Sequence, residues 1–359
     1  MGKWDLDEKK VTGLRVRLLE WYKRSHRDLP WRHTRDPYAI WVSEIMLQQT
    51  RVAAVIDRYT AFMARFPTLH SLALATEDDV LAQWSGLGYY RRARMLHKAA
   101  QFVVAHNNGN LPVTAAELRL LPGIGAYTAA AIASIAHGEP VAVVDGNVER
   151  VLCRLEGWKE GSARLRRKIE KLAGELVDPK HSGDFNQAIM ELGATLCLPR
   201  NPQCLVCPVA ADCKTQGEHK TAPRSPMVSR EVAHALSLRT RRRAGNLREE
   251  VLLEQRPASL SVMPGLWELP ALIDSAVPEE DLRLTVRHAI MQVNYIVRIR
   301  TVAEGEIEAL TVAGAQRRWV PLDDAPAMPL TGLARKVLTR LHLLSAAPRQ
   351  RLPRSRVET

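Results

Sequence analysis

Residues 118–133 read LRLLPGIGAYTAAAIA. An apolar helix runs into a break at Leu121-Pro-Gly-Ile-Gly125, and an alanine-rich helix follows. Gly123 and Gly125 let the backbone come close to a ligand, and the N–H groups that open the second helix point outward as an anion site. An ordinary helix–turn–helix corner reads the same way. Twenty residues past Gly125 stands Val143-Val-Asp145-Gly-Asn147-Val. An Asp placed just before a helix is either an N-cap or a chemically active carboxylate, and the local sequence does not choose between them.

Composition narrows the partner. The chain has 359 residues, with 51 Lys and Arg against 39 Asp and Glu, a net charge of +12. That excess favours a polyanion such as nucleic acid or an acidic membrane surface. No apolar run approaches the roughly 20 residues that span a bilayer, and the charged start MGKWDLDEKK lacks a secretory signal's apolar stretch, so no membrane partner is expected. Four of the five cysteines crowd into residues 197–213, which argues against a secreted disulfide framework. An intracellular reducing compartment is expected, the cytoplasm and nucleoid if the source is bacterial.

The chain divides by pattern. Residues 1–215 read mostly as helix, with Ala39–Arg65 one apolar stretch that sets Ile40, Trp41, Leu47, Val55 and Ile56 on one side. The main strand-like run there, Val141–Val144, is too short to assign. Residues 216–230 are polar and Pro-bearing, as a linker is. Residues 231–345 carry shorter pieces: strands are expected at Glu250–Gln255, Met291–Arg300 and Arg318–Pro321, and a closing helix at Leu333–Leu344. Residues 346–359 hold four Arg and two Pro and read as a disordered basic tail.

Cys197, Cys204, Cys207 and Cys213 give the spacing C-x6-C-x2-C-x5-C. Four thiolates so close in sequence converge readily on one metal centre, and zinc and iron–sulfur clusters both take four. Zinc ribbons pair two C-x2-C knuckles, whereas this run has only one, so a [4Fe–4S] cluster is the expected cofactor. Cys153, in the helical VLCRLEGW, reads as a small buried hydrophobe.

Together these segments resemble the HhH-GPD superfamily of helix-hairpin-helix DNA glycosylases, with the cysteines placed as in its iron–sulfur branch. Within it the similarity is to MutY-type adenine glycosylases. It is carried by Leu29-Pro-Trp-Arg32, Asp36-Pro-Tyr38, Trp41-Val-Ser-Glu-Ile-Met-Leu-Gln-Gln-Thr50, Gly86-Leu-Gly-Tyr-Tyr90 and Phe185-Asn-Gln187, and covers residues 1–215 nearly end to end. Residues 231–345 resemble the Nudix-like domain of the same glycosylases through Leu252-Leu-Glu-Gln-Arg-Pro257, Gly265-Leu-Trp-Glu-Leu-Pro270 and Arg318-Trp-Val-Pro-Leu322. The fold so implied is a mostly-α helix-hairpin-helix (HhH-GPD) glycosylase domain with a [4Fe–4S] module, followed by a smaller α+β Nudix-like domain.

Glu44 shares a helix face with Ile40, Trp41 and Leu47, and desolvation there raises a carboxyl's pKa. A helix-face Glu paired with Arg51 is the plain alternative. The resemblance implies that Glu44 protonates a ring nitrogen of adenine and that Asp145 stabilises the oxocarbenium-like sugar, one carboxyl protonated and one charged. Bifunctional relatives carry a Lys where Tyr127 stands, to form a Schiff base, so base excision without strand cleavage is expected, with Tyr127 and Asn147 supporting Asp145. Trp31, Arg32 and Gln187 match positions around the extruded adenine. Gln48, Gln49, Leu87 and Tyr89 match those that fill the gap in the duplex, and Gly123 and Gly125 belong to the phosphate-binding hairpin. The implied partner is double-stranded DNA with adenine mispaired with 8-oxoguanine or guanine, bound by a monomer.

The second domain departs from the family. No magnesium-binding R-E-x-x-E-E array follows Pro270, so a reader of the opposite base is expected there, with no hydrolase activity. The family's Phe-Ser-His lesion loop corresponds to Val286-Arg287-His288, where only His288 is kept. Arg239, Arg241, Arg242 and Arg243 are solvated charges or added phosphate contacts. Two other readings stand beside the first: an endonuclease III-like glycosylase/lyase for oxidised pyrimidines, and a catalytically silent DNA-binding relative.

Overall fold

The computed structural model describes residues 8–159, 163–219, 226–243, 246–290, 292–312 and 316–344. The tail at 346–359 and residues 220–225 of the expected linker lie outside these. The helices are α1 (Glu8–Ser25), α2 (Pro37–Leu47), α3 (Val52–Arg65), α4 (Leu69–Ala73), α5 (Glu77–Gln83), α6 (Arg91–His106) and α7 (Ala115–Leu118). They continue with α8 (Ala126–His137), α9 (Gly146–Glu156), α10 (Ala163–Leu176), α11 (Ser182–Thr195), α12 (Ile307–Leu310) and α13 (Gly332–Arg340). The strands are β1 (Val228–Leu236), β2 (Leu238–Arg243), β3 (Asn246–Gln255), β4 (Trp267–Glu268), β5 (Leu282–Ile290), β6 (Val293–Thr301) and β7 (Gln316–Pro321). Among the described residues no helix is long and apolar enough to cross a membrane.

The chain packs as two compact units. One gathers Met1–Gln49, Phe66–Ala73 and Lys98–Pro223; the other gathers Thr50–Arg65, Leu74–His97 and Arg224–Thr359. Two stretches from the helical half thus group with the C-terminal strands, which the reading of 1–215 as one block did not anticipate.

In the first unit, α1, α9, α10 and α11 enclose a core of Leu14, Leu18, Leu152, Ile169, Leu172, Phe185 and Ile189. Beside it α2 packs on α8. Asp36 starts α2 by accepting from the Tyr38 N–H at 3.0 Å, with Pro37 in the first turn. Tyr38 to Met46 are then all buried, so α2 is enclosed on every side rather than amphipathic. The alanines of α8 make this possible, since small side chains admit a close neighbour. The same economy brings α11 onto α8, where a Cβ on Gly183 would come within 2.7 Å of the Ser134 carbonyl oxygen. The stretch Ala39–Arg65 is not one helix: it breaks at Gln48–Arg51, where Gln49 turns left-handed at φ 56°. Val141–Val144 is extended without pairing into a strand.

In the second unit, β1 pairs parallel with β6, and β6 antiparallel with β5, while β3 pairs antiparallel with β2, β4 and β7. Val251, Leu253, Val286, Val297 and Ile299 form its core against Ala334, Val337 and Leu338 of α13. The expected strands at 250–255, 291–300 and 318–321 correspond to β3, β6 and β7. Strands β1, β2, β4 and β5 are additional, and β1 begins inside the stretch read as linker. Arg239 is no free phosphate contact: it pairs with Glu250 at 2.8 Å and Glu304 at 2.6 Å and lies over the Trp319 ring. Arg241 and Arg242 are exposed.

Candidate active site

The site begins where α2, α8 and α9 meet the face of α11. Glu44, two turns into α2, is 6% exposed, and its Oε2 accepts a hydrogen bond from the Tyr127 hydroxyl at 2.6 Å. Burial lifts its carboxyl furthest, the Tyr127 bond pulls it down, Asp145 raises it and Arg32 lowers it; the result is about 7. The phenol of Tyr127 is held well above its ordinary value by burial and by the negative charge of Glu44 and Asp145. The Met190 Sδ takes a second contact from the same hydroxyl at 3.4 Å. Glu44, Tyr127 and Asp145 therefore share one electrostatic site, although about 100 residues separate the two acids.

Asp145 is an N-cap as well as a member of this group. Its Oδ1 accepts from the Val148 N–H at 2.7 Å, and its Oδ2 accepts from Asn147 Nδ2 at 2.9 Å. Asn147 is held in turn: its Oδ1 accepts from Arg150 Nη2 at 2.9 Å, and Arg150 Nε reaches the Cys197 carbonyl at 2.8 Å. Gly193 of α11 presses on the same point, where a Cβ would come 2.6 Å from the Asn147 Cβ. Upstream, the extended 141–144 segment is fixed by Asn186, whose Oδ1 accepts from Val143 N and whose Nδ2 donates to Val141 O and Ser134 Oγ. The Phe185-Asn-Gln187 motif thus does structural service through its middle residue.

Trp31 is buried in a one-turn helix, and Arg32 beside it donates to Glu191 Oε2 at 2.7 Å while lying over the Tyr22 ring. Glu191 also takes two bonds from the Arg27 side chain at 2.7 Å each. Burial alone pushes the Glu191 carboxyl up, but the bonds from Arg27 and Arg32 outweigh it and bring it to about 2. Glu191 was not among the residues expected from sequence; a Glu on a helix ordinarily signals a solvated face. Gln187, Met190 and Glu191 fall three and four residues apart on α11 and so share a side of it.

Gln48 ends α2 and donates to Thr128 Oγ1 at 3.2 Å, and Gln49 is exposed. At the hairpin Gly123 supplies the left-handed φ of 75°, while Gly125 caps α8 with an ordinary φ of −85°. In the second unit Tyr89 is 51% exposed, whereas Leu87 is 5% exposed and its side chain packs as core. Val286-Arg287-His288 is also not a loop. It lies within β5, with Val286 buried, Arg287 exposed and His288 opposite Tyr295 on β6. Burial lowers the His288 pKa, and the Lys336 ammonium adds to that. His288, His234, Arg256, Glu268, Tyr295 and Thr331 line an open cleft of about 670 Å³.

Cys197, Cys204, Cys207 and Cys213 line one cavity with Val151, Leu155, Leu192 and Val209. Burial lifts the Cys207 thiol to about 11; a backbone bond at Val209 opposes the rise, and the other three cysteines add to it. Arg154 Nη1 reaches Cys197 Sγ at 3.4 Å. Among the described residues no three His, Cys, Asp or Glu side chains gather tightly enough for a single metal ion. Cys153 is buried, as expected.

The HhH-GPD superfamily base excision DNA repair protein family matches residues 42–179. Human adenine DNA glycosylase is 50% identical over 221 residues, 58% of this chain and 40% of that protein. The mouse adenine DNA glycosylase is 42% identical over 314 residues, 73% of this chain and 61% of that protein. The chain thus spans about half the length of these curated relatives. A solved thermostable thymine-DNA glycosylase superposes with a TM-score of 0.54 at 30% identity, over 59% of this chain and 99% of the other. The chain belongs to the HhH-GPD superfamily of base excision DNA repair proteins. Within that superfamily its curated relatives are adenine DNA glycosylases.

Proposed function

We propose that this protein is a monofunctional adenine DNA glycosylase that acts on adenine mispaired with 8-oxoguanine or guanine in double-stranded DNA. The observation that carries it is a buried Glu44 with a carboxyl near 7, in one electrostatic site with Asp145. A general acid is most effective with its pKa near the working pH. Tyr127 occupies Oε2, which leaves Oε1 to carry the proton toward a purine nitrogen. Protonation turns the base into a leaving group. The Asp145 carboxylate, one oxygen tied by the α9 N-terminus and the other by Asn147, is oriented to stabilise the electron-poor sugar carbon until water adds. Tyr127 cannot form a Schiff base, which favours excision without strand cleavage over the lyase reading.

Trp31, Arg32 and Gln187 are the proposed walls of the adenine pocket, with Glu191 fixing Arg32. Gln48, Gln49 and Tyr89 fill the duplex, and the N–H groups at Gly123 and Gly125 hold phosphate. The C-terminal α+β part is read as the Nudix-like sensor of the opposite base, with His288 in its cleft. The four cysteines suit a [4Fe–4S] cluster better than zinc. They line one cavity, their spacing offers only one C-x2-C pair, and such a cluster takes four thiolates. When bound it would tie the 197–213 loop to α9 and α11, and free thiols in such a site fit a reducing intracellular compartment.

The test is excision from duplexes that pair adenine with 8-oxoguanine, guanine or thymine, with Glu44→Gln as control. Release of adenine from the first two by the wild type alone supports the assignment. Turnover by Glu44→Gln at the wild-type rate places the acid elsewhere.

A further inference from the structure

We infer that Arg335 of α13 is a positioning residue for the loop that carries Tyr89, and that α13 couples this loop to strand β5. The inference rests on the proposed role of Tyr89 as the side chain that enters the duplex.

Residues 85–90 form a tight loop with little regular structure of its own. Gly86, Gly88 and Tyr89 all have positive φ, and at Tyr89 (φ 47°) this is a strained backbone for an L side chain. Something outside the loop must hold it. Trp84 Nε1 and Arg92 Nη2 bind the Gly88 carbonyl at 3.1 and 3.2 Å, which secures one side. The other side is secured from the far end of the chain. Ser85, fully buried, receives Arg335 Nε on its Oγ at 2.7 Å and lies 3.3 Å from the Leu330 carbonyl. The buried Tyr90 hydroxyl donates to that same carbonyl at 3.0 Å. Ser85 and Tyr90 bracket the loop, so residues 330–335 grip both of its ends.

The opposite end of this grip is β5. The α13 N-terminus is capped by Thr331, and a Cβ on Gly332 would sit 3.6 Å from the His288 ring. Lys336, the residue after Arg335, donates its Nζ to the Arg287 carbonyl at 2.7 Å. One short helix therefore touches the strand that bears His288 through residues 332 and 336, and the Tyr89 loop through residue 335. A shift of β5 on meeting a base is passed to the loop by a rigid body. Arg335 has a further property suited to this. It is half-buried, its Nη2 donates to the Pro326 carbonyl at 3.1 Å, and among the described residues no carboxylate pairs with it.

The experiment is a double-mutant cycle in the full-length protein. Ser85→Ala and Arg335→Gln are each made alone and with Tyr89→Ala, and single-turnover excision is measured at saturating enzyme. Loss of a charge-assisted hydrogen bond predicts a roughly tenfold slower excision for Arg335→Gln, with a smaller loss for Ser85→Ala. Both should leave duplex dissociation constants nearly unchanged, and the slower excision should persist well below each variant's melting temperature. In the Tyr89→Ala background the same substitutions should have no further effect, because coupled residues are non-additive. Losses that simply multiply with that of Tyr89→Ala would overturn the coupling. An unimpaired Tyr89→Ala would instead remove the proposed role of Tyr89, a separate failure. Ser85→Ala, which deletes only one oxygen, keeps the test open should Arg335→Gln not fold.

Discussion

The Tyr127 hydroxyl stands 2.6 Å from Glu44 Oε2 and donates to it, which pulls down a carboxyl pKa that burial raises most. Donation to a carboxylate favours its charged form. Removing it with Tyr127→Phe should raise the Glu44 pKa above about 7 and move the alkaline limb of single-turnover excision to higher pH. A limb that moves down, or stays in place, contradicts this account of the pair.

Glu44 also links stability to pH. Its folded value near 7 lies above its unfolded value of 4.5, so the folded protein holds the proton more tightly. The resulting stabilisation is complete below about 4.5 and is lost as pH rises through 7, on the order of 3 kcal/mol in all. Chemical denaturation of wild type and Glu44→Gln between pH 5 and 8 reads this directly. The wild type should lose stability relative to the Gln variant as pH rises; parallel curves count against a buried, proton-bearing Glu44.

Glu191 has the opposite sign. Its carboxyl, brought to about 2, contributes stability above 4.5 that disappears as pH falls through 2. Glu191→Gln leaves Arg32 half-enclosed without its charge partner and should cost about 3 kcal/mol, with weakened adenine-dependent binding measured by duplex titration. A variant as stable as wild type would mean that Arg32 finds water instead.

The cysteine site makes a spectroscopic prediction. Purified protein should be coloured, with iron and sulfide in cluster ratio, and Cys204→Ala should lose both. Colourless protein carrying zinc would refute the cluster. Arg150 bonds the Cys197 carbonyl and Asn147, so Arg150→Ala should slow excision more than it weakens duplex binding.

Much of this was legible in residue order. Glu44 sits among apolar neighbours at helical spacing, and the cysteine spacing points to one centre. The break after Leu47 was not legible, because Gln48-Gln-Thr50 contains neither Gly nor Pro, and a left-handed Gln leaves no mark. Strand β5 could have been read: Leu282, Leu284, Val286, His288 and Ile290 alternate, but the stretch was matched to a loop by family likeness instead. Glu191 and Arg335 were beyond reach. Each is a charged residue on an amphipathic helix, and only the fold shows which such residue is turned inward.

The contact between Gly193 and Asn147 has an evolutionary consequence. With no room for a single methyl group between α11 and the start of α9, position 193 is closed to every other amino acid unless the aspartate's support gives way. A Gly193→Ala variant keeps Glu44, Asp145 and its surface, yet the added methyl group pushes Asn147 away from the aspartate it supports. Sequence surveys that look only at chemically reactive positions would pass it over.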